Sequence, residues 1–145
     1  MKKKVLFVCV HNSARSQMAE ALLNQMCGDL FEAASAGLQP GTLNPLAVAA
    51  LREIGIDIRA KETRGVDEVI KSGQTFDYVI TVCDESSAEQ CPVFPGGAQC
   101  LHWNFPDPAK FTGTQEEKLE QTRKVRDAIE AKLVEFCPSS CRAVA

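Results

Sequence analysis

Two short runs, Val5 to Val8 and Tyr78 to Val82, restrict the folds open to this chain more than any other feature in it. Both are rich in β-branched residues, apolar at successive positions apart from Thr81, and free of polar alternation, the pattern of strands covered on both faces. Each run leads directly into a cysteine, Cys9 or Cys83. After the first comes a polar turn, His11-Asn12-Ser13, and then Met18, Ala21, Leu22 and Met26 at helical spacing. The unit reads strand, loop, helix.

The remaining segments continue that alternation. Residues 31 to 36 (FEAASA) are a second strand, and Asn44-Pro45 opens a helix that runs through Leu51 and Ile54 to Gly55. A short helix over Val66 to Lys71 precedes the second apolar run, and Leu101 to Trp103 is a fourth short strand, followed by a long loop. Thr114 and Glu117 have capping-box spacing, and Val125, Ile129, Leu133 and Phe136 share one face of a helix that Pro138 stops. The expected fold is α/β, one domain over 1–145 with a tail at 139–145, in which a four-stranded parallel sheet carries helices on both faces. Such sheets bind ligands beyond the carboxyl ends of their strands, where Cys9 and Cys83 fall.

Charge and cysteine usage narrow the function. With 16 basic and 19 acidic residues the net charge is −3, so no basic excess exists to meet a nucleic acid backbone. The run from Val5 to Val10 is too short for a membrane span or a signal core, and a cytoplasmic protein is expected. Seven cysteines in 145 residues are an odd number without a secretion signal, a usage that favours buried, metal-binding or redox-active thiols over structural disulfides.

The loop Cys9-Val10-His11-Asn12-Ser13-Ala14-Arg15-Ser16 puts a cysteine and an arginine at the two ends of a strand-to-helix connection. Inward backbone N–H groups from Val10 to Arg15, the positive end of the next helix and the Arg15 guanidinium together suit a tetrahedral oxyanion. The same field favours thiolate over thiol, making Cys9 a nucleophile that the Ser16 hydroxyl reinforces. Asn12 is a residue type that tolerates the left-handed backbone a tight turn needs. The plainer reading is a buried strand-end cysteine before an ordinary turn.

Cys9 to Ser16, followed by Gln17-Met18-Ala19-Glu20, resembles the low-molecular-weight protein tyrosine phosphatase superfamily, and within it the arsenate reductases usually coupled to thioredoxin. Ser35-Ala36-Gly37, Asn44-Pro45, Cys83, Cys91-Pro92, His102-Trp103 and Asp107-Pro108 follow in the family's order. The resemblance implies a flavodoxin-like strand order, a monomer, and Asp107 as the general acid. It implies arsenate as substrate, with attack by Cys9, resolution by Cys83, transfer of the disulfide to Cys91, and thioredoxin as electron donor. No cofactor is required, although a structural potassium ion at Asn12, Glu20 and Ser35 is implied from some relatives. Their fourth position falls on Gly65, with Asp67 two residues later.

The alternative within the same fold is a phosphatase working through a cysteinyl-phosphate on Cys9. There the Asp-Pro pair is typically followed by tyrosine, whereas Ala109 follows here and Tyr78 is the chain's one tyrosine. A third reading is an oxyanion or redox sensor using the same loop without turnover. A zinc site from Cys83, Cys91, Cys100 and His102 lacks the compact spacing usual in zinc modules. Cys27 and Cys100 are expected as packing residues, and for Cys137 and Cys141, at the last helix end and in the tail, a bland reading is preferred to an exposed pair that relays electrons or cross-links chains.

Overall fold

The computed structural model of the chain describes residues 2–82 and 97–137. Four strands, β1 (Lys3–Cys9), β2 (Phe31–Gly37), β3 (Tyr78–Thr81) and β4 (Gln99–His102), form one sheet in the order β2-β1-β3-β4, and every pairing is parallel. Helices α1 (Arg15–Cys27), α2 (Pro45–Arg52), α3 (Val66–Lys71) and α4 (Gln115–Phe136) complete the order expected from the sequence. The unalternating apolar run of β1 is explained by its place inside the sheet. Val5, Phe7 and Cys9 pack with Met18, Leu22, Leu51, Ile129 and Leu133, whereas Leu6 and Val8 face Val66, Val69, Phe76 and Val79. Successive side chains therefore enter opposite cores, each buried.

The helix ends follow local chemistry. The Asn44 side chain accepts from the Leu46 N–H at 2.8 Å ahead of Pro45, and Thr114 and Glu117 exchange capping bonds of 3.1 and 3.2 Å. The second helix stops at Arg52, earlier than the apolar spacing through Ile54 implies. There the chain tightens, with Ile54 N bonded to Leu51 O and Gly55 N to Arg52 O, and Gly55 takes φ +84°, which glycine adopts at no steric cost. The fourth strand is Gln99–His102 rather than 101–103. Its Gln99, Cys100 and His102 are exposed at the sheet edge, so little hydrophobic signal marks its start. Trp103 lies just beyond it, packed against Phe7 and Phe136 with ring centroids 6.1 and 5.7 Å away.

An ion-pair cluster joins α2 to α4. Arg123 meets Glu53 at 2.7 Å and Arg126 meets it at 3.0 Å, and the Arg123 hydrogen bond holds the Glu53 carboxyl below its ordinary range. Partly exposed pairs of this kind add little, so the apolar seam of Val125, Ile129 and Leu133 does more to seat α4.

The cysteines depart from expectation at two positions, Cys27 and Cys100. Cys27 is buried at the end of α1, as expected of a packing residue, but both it and Cys100 are disulfide-bonded, and Cys100 is exposed. Cys137 is a free, buried thiol whose burial pushes its pKa up, in line with the bland reading preferred for it. Cys83, Cys91, Cys141, Pro138 and the tail 139–145 lie outside the described residues. Among the described residues no helix is long and apolar enough to cross a membrane.

Candidate active site

The loop from Cys9 to Arg15 sits where β1 ends and α1 begins, at the carboxyl edge of the sheet. Its outer side is fastened by the segment after β2. Leu38 N bonds to Cys9 O at 3.1 Å, Gln39 N to Val10 O at 2.7 Å, Gly41 N to His11 O at 2.9 Å and Asn44 N to Ser13 O at 2.8 Å. With those carbonyls taken from outside, the inner side is left to N–H groups, and the Asn12 N–H points at Cys9 Sγ from 3.2 Å. Asn12 holds φ +54°, the left-handed conformation that its residue type suggests. His11 is exposed and fixed by a 2.9 Å bond between its Nδ1 and Gln39 O.

Gly37 is needed for that fastening. A Cβ there would lie 2.8 Å from Asn12 N and 2.9 Å from Val10 O, so any side chain would push the loop off the end of β2.

The sulfur is buried, only 2% exposed, and its second neighbour is Ser16 Oγ at 2.9 Å. Asn12 Nδ2 donates to that same Ser16 oxygen at 2.8 Å. Ser16 accepts from Asn12, so its own hydrogen is free to go to Cys9, and the sulfur receives two donors, an O–H and an N–H. Negative charge on sulfur is stabilised by that arrangement. The start of α1 strengthens it, because Ala14 supplies no side-chain cap and the first turn carries no acidic residue. The positive helix end is thus left for an anion.

Arg15 and Asp107 come together across a long stretch of chain. Arg15 is buried, donates from Nη1 to Phe105 O at 3.2 Å, and places Nη2 3.6 Å from Asp107 Oδ2. The other Asp107 oxygen accepts the Ala109 N–H at 2.9 Å, capping a 3-10 turn over Pro108–Lys110. Asp107 is therefore held beside Arg15, with one oxygen fixed by its own turn and the other facing the guanidinium. Val82, one residue before Cys83, bonds through its N–H to Val8 O at 2.8 Å, one residue before Cys9.

Beneath the loop lies a scaffold that sequence reading did not single out. Asn12 Oδ1 accepts from Arg64 N at 3.0 Å and Gln17 Nε2 at 3.2 Å, and that Gln17 nitrogen also reaches Glu62 O at 3.2 Å. Gly37 as the end of a strand was the one available signal; Gln17, Glu62 and Arg64 become neighbours only through the fold.

The oxygens at the three positions implied for potassium already have partners within the protein. Ser35 donates to Glu20 Oε1 at 2.8 Å, Lys61 Nζ is paired with Glu20 Oε2, and the Asn12 oxygen already has its two donors. Both carboxylate oxygens have internal donors, and the arrangement does not fit an inorganic cation.

Comparison with known proteins identifies the family. The model of the family described as low molecular weight phosphotyrosine protein phosphatase matches residues 4–143. The chain belongs to that family. Within it, the arsenate reductase of Halalkalibacterium halodurans is 42% identical, over 93% of this chain and 95% of that one. A crystal structure of the arsenate reductase from Archaeoglobus fulgidus superposes with a TM-score of 0.62 at 38% identity, covering 86% of this chain and 98% of that one. A thioredoxin-dependent arsenate reductase of Corynebacterium glutamicum superposes with a TM-score of 0.60 at 31% identity, covering 92% of this chain and 63% of that one.

Proposed function

We propose that the chain reduces arsenate to arsenite, with Cys9 as nucleophile and Cys83 and Cys91 as the thiols that carry the oxidation away. The observation that carries the reading is the buried Cys9 sulfur between the Asn12 N–H and the Ser16 hydroxyl, in a loop that ends on Arg15, in a chain 42% identical to an arsenate reductase. Arsenate is a tetrahedral anion that the loop N–H groups and Arg15 bind, with Val10, His11, Asn12, Ser13 and Ala14 contributing backbone. The Cys9 thiolate attacks arsenic, and an oxygen leaves as water with a proton from Asp107, giving a thiol ester of arsenate on Cys9.

Cys83 thiolate then attacks the Cys9 sulfur. A Cys9–Cys83 disulfide forms, the sulfur–arsenic bond breaks, and its electron pair stays on arsenic, which falls from As(V) to As(III) and departs as arsenite. Two thiols lose the two electrons that arsenic gains. Cys91 next attacks Cys83, returning Cys9 as thiolate, and a dithiol of the thioredoxin type reduces the Cys83–Cys91 bond. That donor is supported by the relative in Corynebacterium glutamicum, described as thioredoxin-dependent.

A coupled assay with thioredoxin, its reductase and NADPH tests the reading. The expected result is arsenate-dependent NADPH oxidation with one arsenite per NADPH. Hydrolysis of p-nitrophenyl phosphate with no arsenate-dependent oxidation would make the protein a phosphatase instead.

A further inference from the structure

We propose that Lys61 is a positioning residue that acts as a tethered monovalent cation, clamping residues 61–64 to α1 and so orienting the Asn12 amide that sets the Cys9–Ser16 hydrogen bond.

Glu20 points from α1 into the protein with only 5% of its surface exposed, and a carboxylate so buried is costly unless a cation meets it. Among the described residues, the cation paired with it is Lys61, forty-one positions away, with the Ser35 hydroxyl on the other oxygen. Arg64, close by, is turned instead to the Ser35 carbonyl through Nε at 2.9 Å.

The pairing reaches the sulfur through a chain of hydrogen bonds that runs by way of Asn12 and Ser16. Next to Lys61, the Glu62 carbonyl accepts from Gln17 Nε2; two residues on, the Arg64 N–H and the same Gln17 nitrogen both donate to Asn12 Oδ1. Those donors decide which way the Asn12 amide faces, because a flipped amide would set its NH₂ against two N–H groups. With the oxygen so held, Nδ2 must face Ser16 Oγ, and Ser16 is left with its hydrogen for Cys9. Loosening residues 61–64 would free Asn12 to turn and weaken the donor on the sulfur.

Lys61 Nζ reaches Glu20 across the wall of a surface cavity of about 370 Å³ lined by Glu20, Ser35, Ala60, Lys61, Glu62 and Arg64. The lysine side chain is 43% exposed, so water enters. Shortening its charge away would leave a buried carboxylate facing a wet cavity, where a small free cation can take the place of the ammonium.

The test compares the whole protein in potassium chloride and in choline chloride at equal ionic strength, reading Tm and kcat/KM for arsenate. The wild type is expected to be indifferent to the exchange. Lys61→Gln in choline is expected to lose kcat/KM by about tenfold, the scale of an outer-shell loss. Potassium is expected to restore it to about half or more of wild type and to raise its Tm, while Lys61→Arg stays cation-indifferent. Should Lys61→Gln fail to fold in choline, folding in potassium supports the proposal and failure in both salts overturns it. A wild type activated by potassium, a Lys61→Gln loss that potassium does not repair, or no loss at all, also overturns it. The inference rests on the arsenate reading for turnover alone; a potassium-specific Tm rise in Lys61→Gln without arsenate reduction by the wild type would sink that reading and leave this one standing.

Discussion

Cys9→Ser is expected to abolish arsenate turnover, lowering kcat/KM by about 10⁴-fold or more, because the proposed mechanism loses its attacking atom and the other free thiol among the described residues, Cys137, lies at the far end of α4. Ser and Cys differ by one atom, and the serine oxygen still finds Ser16 and the Asn12 N–H within reach. The fold should therefore survive, with Tm shifted by only a few degrees. The chemistry should not, since an alkoxide forms far less readily than a thiolate and an oxygen cannot form the disulfide that takes arsenic to As(III). Arsenate binding without turnover is the expected phenotype, measured by protection against thermal unfolding. Residual turnover above about one per cent of wild type would mean that another group attacks arsenic, contrary to the roughly 10⁴-fold loss expected.

Arg15→Lys is expected to cost about 10²- to 10³-fold in kcat/KM, the scale for losing one aimed donor at a developing anion. The charge is kept, but the planar fork is lost, and with it both the bond to Phe105 O and the contact with Asp107. Lysine presents a single ammonium, so it cannot hold a tetrahedral anion in two places while staying fixed to the loop after β4. Both KM and kcat should worsen, since in the proposed mechanism Arg15 binds the substrate and sets the position of the acid. Steady-state rates in the coupled assay check this, and a loss of less than tenfold would show that the backbone N–H groups alone hold the anion.

Much of the framework was legible in the sequence because local signals and tertiary packing agree there. The β1 run Val5 to Val8 announces a strand buried on both faces, and it lies second in a parallel sheet of four. Asn44-Pro45 and Thr114 with Glu117 announce helix starts by chemistry confined to a few residues. Cys9 and Arg15 share one short loop, so their meeting needs no knowledge of the fold. Asp107 was legible through its Asp-Pro context, and it does stand beside Arg15.

What escaped sequence reading depends on contacts between distant positions. The Phe105 carbonyl reaches Arg15 across ninety residues, and a backbone oxygen leaves no mark in a sequence. Lys61 is one lysine among sixteen basic residues until the fold sets it on Glu20. The potassium site inferred from Asn12, Glu20 and Ser35 shows the same limit from the other side. All three residue types are present, and internal donors have taken their oxygens. The β4 boundary failed for a simpler reason, since an exposed edge strand carries little of the apolar pattern that marks a strand.

The most direct test of the account is a single turnover without any reductase. Fully reduced protein is mixed with arsenate, quenched in acid, alkylated, and its disulfides mapped by mass spectrometry while arsenite is counted. The account predicts one arsenite per chain and a new arsenate-dependent Cys83–Cys91 bond, both absent in Cys9→Ser. Arsenite formed while Cys83 and Cys91 remain free, or a Cys83–Cys91 bond that arsenate induces in Cys9→Ser, would contradict it.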